Sequence, residues 1–351
     1  MAMTPFEIQV RDVMETRHLP IITADQTLRK AAEVMLSNKA LAVVTLDVER
    51  RPELILSFRR LVKTVAEGVN LDKTNIAEHA ITDPAVIRFD DTIEEALRAM
   101  KKEAVRTLPV VDYRDKMVGY LEARHIAFKL WKLLPYGLAR VEGQARNIVV
   151  LPSDVTLQAA AKAMDENGVT EVFVRKGEEL AILREWDFLR ALAEGANPAE
   201  ARVGDYATGR VIKVPISYDA RAAVELMEEN DVLRLVAEAE EAEGRRSLRV
   251  ITASDLAFEA LEHIEKVGPK AVALVLANVE PGREEDVAIK LLDVPEVVEV
   301  LSVPGVYDLV IRVEAKNVDK AAEVVTKKIR GLREIRDTLT LVAAPLYRKR
   351  V

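Results

Sequence analysis

Four stretches of this chain share one pattern: DQTLRKAAEVM (25–35), DDTIEEALRAM (90–100), DVTLQAAAKAM (154–164) and SYDARAAVELM (217–227). The methionines that end them lie 65, 64 and 63 residues apart. A fixed spacing of this kind indicates one supersecondary unit that is present in four copies. A single unit of about 64 residues buries little core by itself, so we expect the copies to pack in pairs.

The third copy shows the order of elements within the unit. It contains β-prone runs, each bounded by turn residues, and two stretches with helical periodicity. The predicted elements are a strand at 147–151, a helix that carries the shared pattern, strands at 171–174 and 180–183, and a helix at 187–193. The unit is therefore predicted to be β-α-β-β-α.

The shared helix is amphipathic. In the third copy its apolar residues are three, four and seven positions apart, which places them on one face. They are Leu157, Ala160, Ala161 and Met164. A methionine at this spacing is typical of a core residue, so we expect the four repeated methionines to be buried rather than to contact a ligand.

Composition limits the class of protein. The chain has 351 residues, 49% of them hydrophobic, which is enough for two or three domains. It has no cysteine, which excludes disulfides and thiolate metal sites, and its four histidines are too far apart to predict a metal site. No apolar run approaches the roughly 20 residues of a membrane helix, and no signal peptide is visible at the N-terminus, so we expect a cytoplasmic protein.

The chain is acidic, and residues of both charges are interspersed along it. The net charge is −7 and 31% of residues are charged, with both signs interspersed, which disfavours direct binding to nucleic acid. Abundant Glu and Arg, no Cys and few Gln are also compatible with a thermophilic source.

The repeated region resembles the CBS (cystathionine β-synthase) domain family over about residues 8–265. The resemblance rests on the four copies in register and on the phrases VRDVM (10–14), TLPVVD (107–112) and ITASDL (251–256). In that family two copies form a module whose clefts accept adenosine-containing ligands. The resemblance implies a first CBS pair at 8–133, with copies at 8–68 and 76–133, and a second pair at 143–265, with copies at 143–195 and 200–265.

The resemblance also implies which copies bind. In the family a Thr or Ser, followed three positions later by Asp, meets the ribose where the last strand enters the last helix. A carboxylate suits this role because it can accept two hydrogen bonds. The fourth copy has Thr252 and Asp255, whereas the third has Asp187 with Arg184 at the hydroxyl position. We therefore expect ATP, ADP, AMP or S-adenosylmethionine in the second module, with phosphate candidates Arg184, Arg234 and Arg249.

The first module lacks the acid, because Arg60 and His125 stand at its two equivalent positions. A second interpretation of the acids in the second module stays open. Thr252 and Asp255, and likewise Asp187, lie at predicted helix starts, where such side chains commonly cap the helix without any ligand.

The repeated pattern ends at about residue 265, and the sequence that follows has a different order of elements. The predicted elements are strands at 271–279, 297–302, 307–313 and 338–342 and helices at 284–292 and 318–329. Their order, β-α-β-β-α-β, is that of a ferredoxin-like sandwich. The chain as a whole is thus predicted to combine α/β repeats with one α+β domain at 270–346.

The C-terminal segment resembles the effector-binding (RAM) domain of the Lrp/AsnC family. The matching residues are VEPG (279–282), PEVV (295–298) and VPGVYDLVIRVEAKN (303–317). Such domains dimerise and often bind an amino acid near a turn that corresponds to Gly305, Tyr307 and Asp308 here. Alternatively, Gly305 is a turn glycine with positive φ and Tyr307 an interface aromatic. The helix-turn-helix that precedes these domains in the family is replaced here by CBS copies.

These features favour a non-enzymatic, ligand-sensing regulatory protein. It is expected to be at least a homodimer and to act on a protein partner, because no domain with its own chemistry is visible. An enzyme is the rival hypothesis, but the chain has no Walker A, G-x-S-x-G or G-x-G-x-x-G motif. Two further alternatives are a transcription-associated regulator, acting on DNA directly or through a partner, and a structural oligomer whose clefts stay empty.

Overall fold

The computed structural model describes residues 8–208, 211–240, 246–267, 271–315 and 318–343. The chain divides into two compact units between His263 and Ile264. The first unit contains the four repeats and the second contains the C-terminal segment.

The first two copies supply two three-stranded sheets with their flanking helices. Their elements are α1 (Leu28–Ser37), β1 (Ala42–Leu46), β2 (Pro52–Ser57), α2 (Phe58–Ala66), β3 (Ile81–Thr82), β4 (Ile87–Arg88), α3 (Ile93–Lys102), β5 (Thr107–Val111), β6 (Met117–Glu122) and α4 (Ala123–Leu130). The strand orders are β1-β2-β3 and β4-β5-β6. Ahead of α1 the expected first strand is reduced to a parallel bridge between Ile21 and Val44.

The last two copies repeat this plan. Their elements are β7 (Arg146–Asn147), β8 (Val150–Pro152), α5 (Leu157–Asn167), β9 (Val172–Lys176), β10 (Glu179–Leu183), α6 (Glu185–Ala193), α7 (Val203–Tyr206), β11 (Lys213–Pro215), α8 (Ala220–Glu229), β12 (Arg234–Glu240), β13 (Arg246–Thr252) and α9 (Ala253–Val267). The sheets run β10-β9-β8 and β11-β12-β13-β7. The sequence predicts the last two strands of the fourth copy near 233–237 and 248–251. The hairpin of β12 and β13 is longer than this, because its antiparallel pairing continues to Glu240 and Arg246.

The shared sequence pattern encodes a helix cap as well as a buried face. Thr27, Thr92, Thr156 and Asp219 each precede the repeated helix, and each side chain accepts a hydrogen bond from the backbone N–H three residues later. Such a cap is typically worth about 1 kcal/mol. The expected burial is confirmed, since the four repeated methionines are 0% exposed.

The copies pack in two ways. Within each sequence-adjacent pair the sheets form a joint apolar cluster, which includes Val44 and Tyr120 in one pair and Phe173 and Val236 in the other. Across the pairs, α1 packs on α6 and α2 on α5, so that copies one and three share a single core. Pairing of adjacent copies was expected from the sequence, whereas the shared helical core was not.

The second unit is a four-stranded antiparallel sheet with helices on one face. Its elements are β14 (Ala271–Val279), α10 (Glu284–Leu292), β15 (Val297–Ser302), β16 (Leu309–Ala315), α11 (Val318–Val324), a π-helical turn (Val325–Ile329) and β17 (Ile335–Ala343). The strand order is β15-β16-β14-β17. The ferredoxin-like order predicted from the sequence is confirmed, and the helices cover a core that includes Val275, Ile311 and Val313.

Candidate functional site

A cavity of about 140 Å³, here called the central cavity, lies where all four copies meet in the first unit. Every copy contributes residues from the start of its middle strand or from the junction of its last strand and last helix. Five arginines are among the lining residues: Arg59, Arg106, Arg124, Arg146 and Arg234. Carboxylates line it too, so the net charge depends on which arginines are already neutralised.

Two of the five arginines, Arg124 and Arg234, have carboxylate partners that no other cavity arginine shares. Arg124 pairs with the buried Glu122, whose Oε1 also accepts hydrogen bonds from the Leu41 N–H at 2.8 Å and the Tyr120 hydroxyl at 2.7 Å. Arg234 is buried and is shared by two buried carboxylates. It contacts Glu171 Oε2 at 2.9 Å and forms a shorter pair with Glu185. Arg124 and Glu122 therefore balance each other, whereas the group around Arg234 has two carboxylates for one guanidinium.

The remaining three arginines have only one carboxylate within ion-pair distance among the described residues. Arg146 donates to Asp255 Oδ2 at 2.9 Å, and Arg106 reaches Oδ1 of the same carboxylate at 3.4 Å. Arg59 has no ion pair within the part of the chain that the structure describes. Three guanidinium groups therefore face the cavity with one carboxylate among them.

Burial and neighbouring positive charges both lower the pKa of Arg106. Burial holds the pKa of Arg106 below its usual range; Asp255 opposes this effect, whereas the positive charges of Arg146 and Arg59 add to it. A cluster of cations that repel one another in a partly desolvated cavity is stabilised by an anion. Guanidinium groups suit phosphate oxygens, which they can meet with paired N–H donors.

The predicted residues Thr252 and Asp255 form a reciprocal cap at the start of α9. The Thr252 hydroxyl donates to Asp255 Oδ2 at 2.6 Å and accepts from the Asp255 N–H at 3.2 Å. The capping interpretation is therefore realised, and the same carboxylate also holds Arg146 and Arg106. Thr252 lines the central cavity and Asp255 lies directly behind it.

Three other predicted residues lie apart from the central cavity lining. Asp187 is 0% exposed, and its carboxylate accepts from Arg184 at 2.8 Å, from the Thr208 hydroxyl at 3.0 Å and from Arg190. Its hydrogen-bonding capacity is largely used within the protein. Arg249 lies on β13 opposite Asn147 of β7. The structure thus brings Arg234 and Thr252 to one cavity, with Asp255 behind them, and places Asp187, Arg184 and Arg249 elsewhere.

Sequence reasoning missed Arg59, Arg106 and Arg146. One signal was present, because Leu41, Arg106, Thr170 and Leu233 follow the same 65, 64 and 63 spacing as the methionines. The spacing identifies equivalent positions. It does not show that these positions converge, since that depends on how the two modules pack.

A second, wider cleft lies beside α4, where the sequence offered no ribose-binding acid. It has a volume of about 460 Å³ and is lined by residues that include His125, Phe128, Lys39 and Leu233. Burial lowers the pKa of His125, and the charge of Glu122 opposes this effect. The imidazole Nδ1 lies 3.3 Å from the Glu122 N–H, which donates to it.

In the second unit the predicted effector residues form a turn at the edge of the sheet. Asp308 Oδ2 accepts from the Val279 N–H at 2.9 Å, and its own N–H donates to the Ala277 carbonyl at 3.0 Å, so it fastens the turn to β14. Tyr307 is half-buried and Gly305 is exposed. Gly305 does not have the positive φ expected of it, because the turn is closed by the Asp308 contacts without a left-handed residue at that position.

The described residues contain no helix that is long and apolar enough to cross a membrane. Over the same ranges, no group of three or more His, Asp or Glu side chains is arranged to hold a metal ion.

Two family models match the chain. The CBS domain model matches residues 10–67, 76–132 and 144–194, and the Lrp/AsnC ligand binding domain model matches residues 272–347. The fourth copy lies outside the matched CBS segments but has the same order of elements. Both resemblances noted from the sequence are confirmed.

The fold of the chain is also similar to that of a solved structure. This structure is protein MJ1225 from Methanocaldococcus jannaschii, described as a candidate archaeal homolog of g-AMPK, which the chain matches with a TM-score of 0.60. The match covers 72% of this chain and 99% of that chain at 16% sequence identity. At that identity the likeness shows the fold alone.

Two curated relatives match shorter segments. The HTH-type transcriptional regulator FL11 of Pyrococcus furiosus is 38% identical over 60 residues, which are 17% of this chain and 40% of the regulator. The homoserine O-acetyltransferase of Methanococcus vannielii is 25% identical over 117 residues, which are 33% of this chain and 24% of the enzyme. The chain therefore spans less than half the length of either relative.

Proposed function

Because the chain is built from CBS domains followed by an Lrp/AsnC ligand binding domain, we propose that it is a non-enzymatic regulatory protein that senses an adenine nucleotide. The ligand binds in the central cavity, where its phosphates meet Arg59, Arg106 and Arg146. The observation that carries this proposal is local: Arg59, Arg106 and Arg146 face the cavity beside the single carboxylate of Asp255. Glu171 and Glu185 together exceed Arg234 by one charge, so the surplus of arginines over carboxylates at the cavity as a whole is one.

The charge of the cavity selects among the expected ligands. ATP, ADP and AMP carry phosphates that would neutralise the excess positive charge of the cavity, whereas the sulfonium of S-adenosylmethionine adds another positive charge. The hydroxyls of Thr170 and Thr252 also line the cavity. Because each donates its proton to a carboxylate, each oxygen is left to accept a hydrogen bond from a ribose hydroxyl. We therefore place ATP, ADP and AMP ahead of S-adenosylmethionine.

Calorimetric titration of these four ligands into the full chain tests the proposal. Arg59→Met removes a cavity guanidinium that has no ion pair to lose, and Arg249→Met is the matched control away from the cavity lining. A charge-assisted hydrogen bond is worth about 1.5–3 kcal/mol, so Arg59→Met should weaken nucleotide binding roughly ten- to a hundredfold. Equal affinities for wild type and Arg59→Met, or no nucleotide binding at all, would contradict the proposal.

We further propose that the second unit makes the protein a homo-oligomer. The sheet face opposite its helices carries exposed apolar side chains, with Leu274, Leu301, Leu339 and Leu341 between 38% and 52% exposed. Neighbouring strands bring Leu274 beside Leu341, which makes the apolar surface continuous. A second copy of this face is the expected occupant, and an amino acid would bind near Gly305, Tyr307 and Asp308.

A transcription-associated role is the second candidate, because 60 residues of the chain are 38% identical to a transcriptional regulator. The net charge of −7 favours action through a partner over direct contact with DNA. A gel shift with purified protein that persists at physiological salt would favour direct binding instead.

A further inference from the structure

Helices α4 and α9 occupy equivalent places in copies two and four, so the spaces beside them can be compared. His125 and Asp255 are each the third residue of their helix, and Phe128 and Phe258 each follow three residues later. Arg106 and Leu233 also occupy equivalent positions, just before or within the start of β5 and β12, since their spacing equals that of Met100 and Met227.

The two spaces differ in what fills them. Beside α4, Leu233 faces the cleft of about 460 Å³ that Phe128 also lines. Beside α9, the guanidinium of Arg106 lies 4.9 Å from the centre of the Phe258 ring. The longer side chain of Arg106 therefore occupies, against the face of the aromatic ring, the place that is open at the equivalent position.

Arg106 also blocks the carboxylate behind that ring. Asp255 Oδ2 accepts from Thr252 and Arg146, whereas Oδ1 bonds only to Arg106 within the described part of the chain. Removal of Arg106 would free one carboxylate oxygen and one aromatic face together. A planar base suits the ring, and a sugar hydroxyl suits the freed oxygen.

The contacts that hold Arg106 in place are weak. Its bond to Asp255 is long, at 3.4 Å, and its side chain is 49% exposed. Arg146 and Arg59 lie close enough to repel it. Because Arg106 lines the central cavity as well, an anion bound there would attract it away from Asp255.

We propose that Arg106 is a built-in plug of a nucleoside site formed by Phe258, Asp255 and Thr252, and that an anion in the central cavity opens this site by drawing Arg106 toward itself. The second half of this inference rests on the proposed function, because it requires the cavity to bind phosphate. Anion and nucleoside then bind with positive coupling, each raising the affinity for the other by the same factor.

Titration of the full chain with two separate probes, tripolyphosphate and adenosine, tests the plug. Saturating tripolyphosphate should raise the affinity of wild type for adenosine by roughly five- to 150-fold, the usual range of such coupling. Arg106→Leu copies the residue at the equivalent position of copy four and should bind adenosine tightly without tripolyphosphate. Arg106→Leu combined with Asp255→Asn should lose that gain, whereas Arg106→Leu combined with His125→Gln should keep it.

Each arm has a result that overturns the idea. Equal adenosine affinities for wild type and folded Arg106→Leu would show that Arg106 closes nothing, and a gain that survives Asp255→Asn would place the nucleoside elsewhere. Unchanged adenosine affinity in wild type saturated with tripolyphosphate would refute the opening step. If tripolyphosphate does not bind wild type, the cavity proposal fails, while the Arg106→Leu arm still decides whether a plug exists. Arg106→Gln serves the same purpose if the leucine variant does not fold.

Discussion

Replacement of Arg234 by methionine should strongly destabilise the first unit. Arg234 is 7% exposed and is held between Glu171 and Glu185, which are 2% and 4% exposed. Removal of the shared cation leaves two desolvated carboxylates facing each other. Breaking a buried ion pair from one side typically costs about 3–5 kcal/mol, and at about 2–4 °C per kcal/mol the midpoint of unfolding should fall by roughly 6–20 °C.

The fluorescence of the two tryptophans is a suitable assay, because both Trp131 and Trp186 belong to the first unit and so report on it separately from the second. Arg249→Met is the control, since Arg249 lies on the adjacent strand β13 and pairs with no acid among the described residues. It should lose under about 1 kcal/mol, as substitutions away from buried networks usually do.

The pH dependence of stability independently tests whether the loss in Arg234→Met comes from the two buried carboxylates. Burial already raises the pKa of Glu171, while the charge of Arg234 lowers it. Without Arg234 the folded-state pKa rises further above the unfolded value, so the folded state takes up protons and the variant regains stability as pH falls. The deficit of Arg234→Met should therefore be larger at pH 8 than at pH 5. A deficit below 1 kcal/mol, or one that does not shrink at low pH, would refute the account of a buried shared cation.

Further expectations concern the core, a buried imidazole and the apolar sheet face. Met164→Ala should cost about 2–5 kcal/mol in urea unfolding, because Met164 is 0% exposed, whereas the exposed Lys162→Ala should be nearly neutral. Burial holds the pKa of His125 in the folded state below its unfolded value of 6.5, so the unfolded chain binds the extra proton. The free energy of unfolding should therefore fall as pH drops through about 6.5, by at most about 1.4 kcal/mol per pH unit. His125→Gln should flatten this slope. Leu274→Asp combined with Leu341→Asp should convert the oligomer to a monomer in light scattering after size-exclusion chromatography, and an unchanged mass would contradict the assigned interface.

The order of elements could be predicted because it depends on local chemistry. A capping Thr or Asp, apolar residues three and four apart, and short β-prone runs specify each copy almost independently of the rest. Helix α10 and strand β15 were predicted with the bounds that the structure shows. The length of the β12–β13 hairpin was underestimated, because the charged run at 238–246 is typical of a loop, although the backbones of Glu238 and Glu240 pair with β13.

The sequence by itself determined the four-copy scaffold, the cap and the buried face of each repeated helix, and the ferredoxin-like second unit. Only the tertiary structure decided where the cations converge. Arg59, Arg106 and Arg146 come from three different copies, and their approach depends on packing of α1 on α6 and α2 on α5. The spacing of a repeat says which positions are equivalent, but electrostatic interactions depend on distances in space, and those are fixed only when the copies share a core.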